Sequence, residues 1–267
     1  MTLPHVIPLH ALARPRRPEV VEELRRLLWK AEGLPHRPSA LPFGVPAIDA
    51  YLPQGGLTLG ALHEVAPETA ADTSGALGFL IAILSRLPPS GRIVIVLSPE
   101  KFPLAGRLHG HGLNTLGLDP SRLVLAESRT DKPALWAMEE ALHSGVPAAV
   151  IGVTGANLDF KIGQRLNFAA SEAQTPLLLL RPASAIGSGT AATRWRIGAA
   201  PAARDAFGLI TRWCWQARLE RCRNGRTGEW RVEYDHVAHC FSLAAAVAHS
   251  SPARIASPQS LRRACRP

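Results

Sequence analysis

Lysine is scarce in this chain: only four of its thirty basic residues are lysines, and the rest are arginines. None of the four falls between Phe43 and Gly75, the glycine-rich stretch where a lysine would carry the most chemistry. Other absences bound the function classes. No apolar run approaches the eighteen or more residues that a membrane-spanning helix needs. The opening residues, MTLPHVIPLHALARPRR, lack the basic start, continuous apolar segment and small-residue cleavage site of a secretory signal, so the cytoplasm is the expected location. Cys214, Cys222, Cys240 and Cys265 are spaced by 8, 18 and 25 positions with no C-x-x-C pair, which points to reduced thiols and not to zinc. There is no H-E-x-x-H and no G-x-S-x-G, and His109, His111, His236 and His239 read as loop or strand histidines. No bound metal is expected.

What is present describes a globular chain. Its 267 residues, 46% apolar, suffice for a sizeable core. The net charge of +9 is uneven: residues 1–40 carry seven basic and four acidic side chains, 41–189 ten and twelve, and 190–267 thirteen and five. The basic excess is therefore C-terminal, and its arginine forks suit phosphates or carboxylates as well as a solvated face.

Periodicity divides the chain into three parts: an N-terminal helix and proline-rich linker over 1–40, a core over 41–244, and a basic, disordered tail over 245–267. Val20, Leu24, Leu27, Leu28 and Ala31 mark an amphipathic helix from Pro18 to Gly33. In the core, helices are expected over 74–87, 131–144 and 159–174, with an irregular helical segment over 107–118. Apolar strands are expected over 61–65, 92–98, 122–126, 148–153 and 175–180. Alternation of strands with helices of this length predicts an α/β sandwich around a largely parallel sheet. After Ile186 the pattern changes. A strand over 192–197 precedes two runs of alternating side chains, Trp213 to Cys222 and Trp230 to Tyr234, joined by a turn at Asn224-Gly225. These predict an added antiparallel hairpin, with 239–243 as a third strand.

The join between the strand at 61–65 and the helix after it is where a phosphate-binding protein would place backbone N–H groups and a lysine. Laying G-x-x-x-x-G-K-[ST] over the sequence puts Ala66 and Ala71 at the glycines, Asp72 at the lysine and Thr73 at the hydroxyl. A lysine about 4 Å from a phosphate charge contributes on the order of 4 kcal/mol at an effective dielectric near 20, and Asp72 reverses the sign. Sliding the register to Gly75 brings Ala76 to the lysine position. An aspartate to hold magnesium is also missing: no acid occurs from Ala141 to Leu158, and the candidate strand positions are Gly152 and Val153.

The order of Gly44, Ile48-Asp49, Leu52, Gly55-Gly56-Leu57, Gly60, Glu64-Val65 and Pro67-Glu68 resembles the approach to the nucleotide site in the RecA family, and the likeness extends over roughly 41–244. Among RecA-like proteins the chain is most similar to the ImuA family, through LHEV at 62–65 and the R-x-G-R-x-G-x-W-x-x-E-x-D segment from Arg223 to Asp235. The resemblance implies a RecA-like three-layer fold and a part in SOS-induced, error-prone translesion DNA synthesis. Its implied partners are the Y-family-like protein ImuB and an error-prone C-family DNA polymerase.

By the same resemblance, Glu100 stands where RecA proteins keep the glutamate that orients the attacking water. One acid without the lysine or a magnesium ligand cannot drive phosphoryl transfer, so neither catalysis nor a nucleotide cofactor is expected. The loop Ser184 to Thr190 corresponds to a DNA-contacting loop of RecA but has no basic residue, leaving Arg194, Trp195 and Arg196 as the nucleic-acid candidates. Arg218, Arg221, Arg223 and Arg226 are the candidates for a partner surface. Two other readings stay open: a cell-division inhibitor of the SulA type, and a single-stranded DNA or recombinase-filament modulator.

Overall fold

The computed structural model describes residues 40–98, 108–156 and 158–244, all within the compact unit that begins at Ala40. The expected helix at 18–33, its linker, the tail and Glu100 lie outside the described residues. Twelve strands and five α-helices are described. A short pair, β1 (Ala40–Leu41) and β2 (Leu57–Thr58), brackets helix α1 (Pro46–Asp49). Then follow β3 (Leu62–Pro67), α2 (Thr73–Leu84), β4 (Ile93–Leu97), α3 (Gly110–Thr115), β5 (Leu123–Glu127), α4 (Asp131–His143), β6 (Ala149–Val153), α5 (Phe160–Ala173) and β7 (Leu177–Leu180). The chain closes with β8 (Thr193–Ala199), β9 (Ala203–Arg204), β10 (Ile210–Cys222), β11 (Gly228–Asp235) and β12 (Cys240–Leu243).

The main sheet runs β12-β11-β10-β8-β3-β7-β6-β4-β5, with β9 beside the start of β10. From β8 to β5 every neighbour is parallel, while β10, β11 and β12 add antiparallel strands at the other edge. The sequence reading of a mixed α/β chain with an appended hairpin thus matches the architecture, although β10 starts three residues early and β9 falls where a loop is expected.

Side chains alternate across the sheet. Val65, Ile95, Ile151, Leu178 and Trp195 meet α2 on one face, and Leu62, Val96, Val150 and Leu179 meet α4 and α5 on the other. The connections that carry the chain outward to β5 include α2 and α3 and lie on the first face. Those that return it, α4 and α5, lie on the second, as crossovers of a single hand require.

The first face holds an aromatic cluster. Phe43, 1% exposed, lies 5.3 Å from Trp195 and 5.7 Å from Phe241, and Phe79 of α2 meets Trp215 edge-on at 5.7 Å. The segment leading to β3 is thereby pinned between helix and hairpin. Its backbone is held by Asp49, whose Oδ1 accepts the Phe43 N–H at 2.7 Å and whose Oδ2 accepts those of Gly44 and Val45 at 2.9 and 3.1 Å. Gly44 sits at φ +74, open to glycine at little cost. Among the described residues no helix is long and apolar enough to cross a membrane.

Candidate functional site

Parallel strands of this kind place ligand sites at their C-terminal ends. There the chain passes from β3 through a 3-10 turn at Ala70–Asp72 into α2. The Asp72 carboxylate turns inward on the protein. Its Oδ2 accepts the Thr69 N–H at 3.0 Å and the Thr69 hydroxyl at 2.7 Å, while Oδ1 accepts the Ala199 N–H at the end of β8 at 2.9 Å. These bonds, the Thr69 hydroxyl foremost, hold its pKa below the usual carboxylate range. Thr73 donates its hydroxyl to the Ala70 carbonyl at 2.7 Å. The residues that overlie the lysine and hydroxyl of a phosphate loop are therefore tied into the loop itself, and an intrinsic anion already occupies the positive end of α2.

The strand end that would carry a magnesium ligand is closed for a steric reason. A Cβ built on Gly152 would lie 2.5 Å from both Met138 of α4 and Leu179 of β7, and Val153 is buried facing α2. An acid nevertheless reaches this region from elsewhere in the chain. Asp131, at the first turn of α4, accepts the hydroxyl of Thr154, the residue after β6, at 2.7 Å. Only the approach of α4 to β6 brings Asp131 to the strand end. Among the described residues no three His, Cys, Asp or Glu side chains converge as a metal site would require.

The LHEV strand contributes two buried polar side chains, one to each face. His63 points toward α2. Its Nε2 is 2.8 Å from the Thr58 carbonyl, which can only accept, so Nε2 carries the hydrogen. Nδ1 then accepts the Thr193 hydroxyl at 2.8 Å, and that hydroxyl accepts the Trp195 indole N–H at 3.1 Å. The relay is fully satisfied with a neutral ring, and burial lowers the imidazole pKa from 6.5 to about 4.

Glu64 points to the opposite face at 2% exposure. Its Oε2 accepts Nε and Nη2 of Arg194, both at 3.2 Å, and Oε1 accepts the Ser188 N–H at 3.1 Å. Arg181, just past β7, places Nη1 3.7 Å from Oε1 and donates Nη2 to the Ala156 carbonyl at 2.8 Å. Burial pushes the Arg181 guanidinium below its ordinary value while Glu64 opposes the shift. This buried cluster fastens both the 154–156 turn and the 183–190 loop to β3. The loop complies because Gly187 leaves room for the Arg194 head, which a Cβ there would overlap.

The other candidate residues are placed as follows. Arg194 lies with Glu64; Trp195 is 1% exposed in the aromatic core, with no ring face open to a base; Arg196 binds Glu220 and the Pro67 and Ala183 carbonyls. Alternation along β8 sends Trp195 to one face and the two arginines to the other, so the three do not form one surface. Arg218 pairs with Glu68 at 3.0 Å and Glu220 at 3.7 Å. Arg223 donates to the Thr190 carbonyl. Arg226 donates to the Ala50 carbonyl at 3.2 Å and lies 4.3 Å over the Tyr51 ring. Arg221 is exposed, with no partner among the described residues.

The Arg223 to Asp235 motif is thus a docking device within the chain. The Arg226 N–H meets the Tyr51 carbonyl at 3.0 Å, and Trp230 meets the Tyr51 ring edge-on at 5.0 Å. A Cβ on Gly225 would sit 2.5 Å from the Tyr51 carbonyl oxygen. The motif seats the β10–β11 turn on the segment that leads into β3.

Fold and site together define a mixed α/β protein in which the join between β3 and α2 is closed by its own threonine and aspartate. No family model matches the chain. It is 33% identical over 226 residues to Protein ImuA from two strains of Caulobacter vibrioides, an alignment covering 78% of this chain and 90% of the relative. The chain belongs to the ImuA family.

Proposed function

We propose that this chain is a RecA-like accessory protein without catalytic activity, acting as a scaffold in SOS-induced, error-prone translesion DNA synthesis. Membership of the ImuA family supports a place in a mutagenesis cassette, with an ImuB-like Y-family protein and an error-prone C-family DNA polymerase as partners. The single observation that carries the non-catalytic reading is Asp72, an anion at the lysine position with both carboxylate oxygens engaged by Thr69 and Ala199. A triphosphate would have to displace that carboxylate and accept its repulsion, so no nucleotide cofactor is proposed.

A scaffold of this kind acts through its exterior. Of the four arginines considered for a partner surface, Arg221 is the one with no side-chain partner among the described residues, and it is the residue we assign to that role. The test combines two measurements on the purified full chain. Titration with magnesium-ATP gives no saturable binding and no turnover, and affinity capture retains the Y-family-like protein but loses it with Arg221→Glu. Magnesium-dependent turnover sinks the non-catalytic reading. Retention of bacterial tubulin in place of the Y-family-like protein turns the assignment to a SulA-type inhibitor, and steeply salt-dependent single-strand binding turns it to a filament modulator.

A further inference from the structure

Four large apolar side chains lie exposed together at one end of the antiparallel ribbon. Phe207 (89% exposed) and Leu209 (66%) belong to the turn joining β9 to β10, Ile210 (44%) opens β10, and Val237 (80%) belongs to the turn joining β11 to β12. Leu209, Ile210 and Val237 line an open groove of about 570 Å³, rimmed by Asp205, Arg212 and Asp235. Phe207 does not line this groove; it lies two residues before Leu209 in the same turn, and its exposed ring can serve as a knob.

The knob is held by a rigid turn. Asp205 Oδ1 accepts the N–H groups of Phe207 and Leu209, both at 2.9 Å, and the Asp205 N–H meets the Leu209 carbonyl at 3.0 Å. Arg204 Nη1 donates to the Gly208 carbonyl at 2.6 Å, where Gly208 adopts φ +79. A turn already ordered in this way loses little conformational freedom on association.

We infer that this end of the ribbon is a self-association surface, in which the Phe207 knob of each copy enters the groove of a second copy of this chain across a two-fold axis. Knob and groove adjoin on one patch, the arrangement an isologous contact needs, since the same surface must present both halves. Charge points to the same occupant. Arg204 and Arg212 stand among Asp205, Glu233 and Asp235, and Arg212 lies 3.2 Å from Glu233 and 3.8 Å from Asp235. A patch of mixed sign and little net charge complements itself, whereas a strongly acidic or basic partner would require one sign. It also allows two chains of net charge +9 to approach at this point. The four side chains expose roughly 500 Å² per copy, so a pair buries about 1,000 Å², near the lower limit for a specific interface. The dimer is accordingly weak and reversible.

Sedimentation velocity on the full chain, from about 1 µM to about 100 µM, tests this directly because a weak dimer populates within that range. The wild-type chain moves from monomer to dimer. Phe207→Glu raises the dissociation constant at least about tenfold, the expected loss of a central apolar anchor, with an unchanged circular-dichroism spectrum. Phe168→Glu, at another solvent-facing aromatic, 61% exposed on α5, dimerises as the wild type does. A wild-type chain that stays monomeric throughout, a Phe207→Glu chain that dimerises normally, or a Phe168→Glu chain that loses the dimer each overturns the proposal.

Discussion

Acidification should destabilise this protein through His63 well before its carboxylates titrate. The ring is fully buried, neutral and hydrogen-bonded at both nitrogens, and burial lowers its pKa from 6.5 to about 4. Because the folded value lies below the unfolded one, the unfolded chain binds more protons at every pH between them. The stability that the neutral ring confers is complete above pH 6.5 and is lost progressively as pH falls toward 4. Integrating between pH 7.5 and pH 5 gives a loss of about 2 kcal/mol, a little over half of the roughly 3.4 kcal/mol limit set by the full shift. Urea unfolding followed by tryptophan fluorescence at both pH values measures it. The comparison is with His63→Gln, which offers an amide donor to Thr58 and a carbonyl acceptor to Thr193 but cannot take up the proton. The substitution itself lowers stability at neutral pH, so the quantity to read is the change with pH. Wild type should lose about 2 kcal/mol more than the variant over this interval. Parallel losses in the two proteins would refute the assignment of a neutral, depressed His63.

Three further outcomes follow from the geometry. Glu64→Gln leaves Arg181 and Arg194 without their buried counter-charge, and the expected cost is about 3–5 kcal/mol in urea unfolding; a loss under 1 kcal/mol would mean that solvent reaches the cluster. Asp72→Lys removes the bonds to Thr69 and Ala199, lowers stability by about 1–2 kcal/mol and still yields no magnesium-dependent ATP hydrolysis, because no acid stands at Gly152 or Val153 at the end of β6. A phosphate-release assay that detected turnover would show that the lysine alone was missing. Gly225→Ala drives a methyl group against the Tyr51 carbonyl and the Cys222 sulfur, so the melting temperature falls by an amount corresponding to about 1–3 kcal/mol; an unchanged melting curve would separate the hairpin turn from the segment it is docked on.

Much of the fold is legible locally. The 3.6-residue repeats of α2, α4 and α5, the continuous apolar strands β4, β6 and β7, and the two-residue alternation of Trp213, Trp215, Ala217 and Leu219 are properties of short windows, set by which face of an element must leave water. The missing lysine and the acid-free strand before Leu158 are legible for the same reason, since each is a fact about consecutive residues. What the sequence by itself determined is therefore the mixed α/β class of fold and the absence of a lysine and an acid at these positions.

The roles of the polar side chains depended on neighbours distant in sequence. His63 and Glu64 are adjacent, yet strand alternation sends one to Thr193 and Trp195 and the other to Arg181, Ser188 and Arg194, more than a hundred residues away. Asp131 reads as a helix cap until α4 is laid against β6, and Arg223 and Arg226 read as a basic surface until their guanidiniums meet the Thr190 and Ala50 carbonyls. A charged side chain shows in sequence only its own sign. Whether that charge faces solvent, a carbonyl or a counter-ion is settled by long-range packing, and only the tertiary structure decided it.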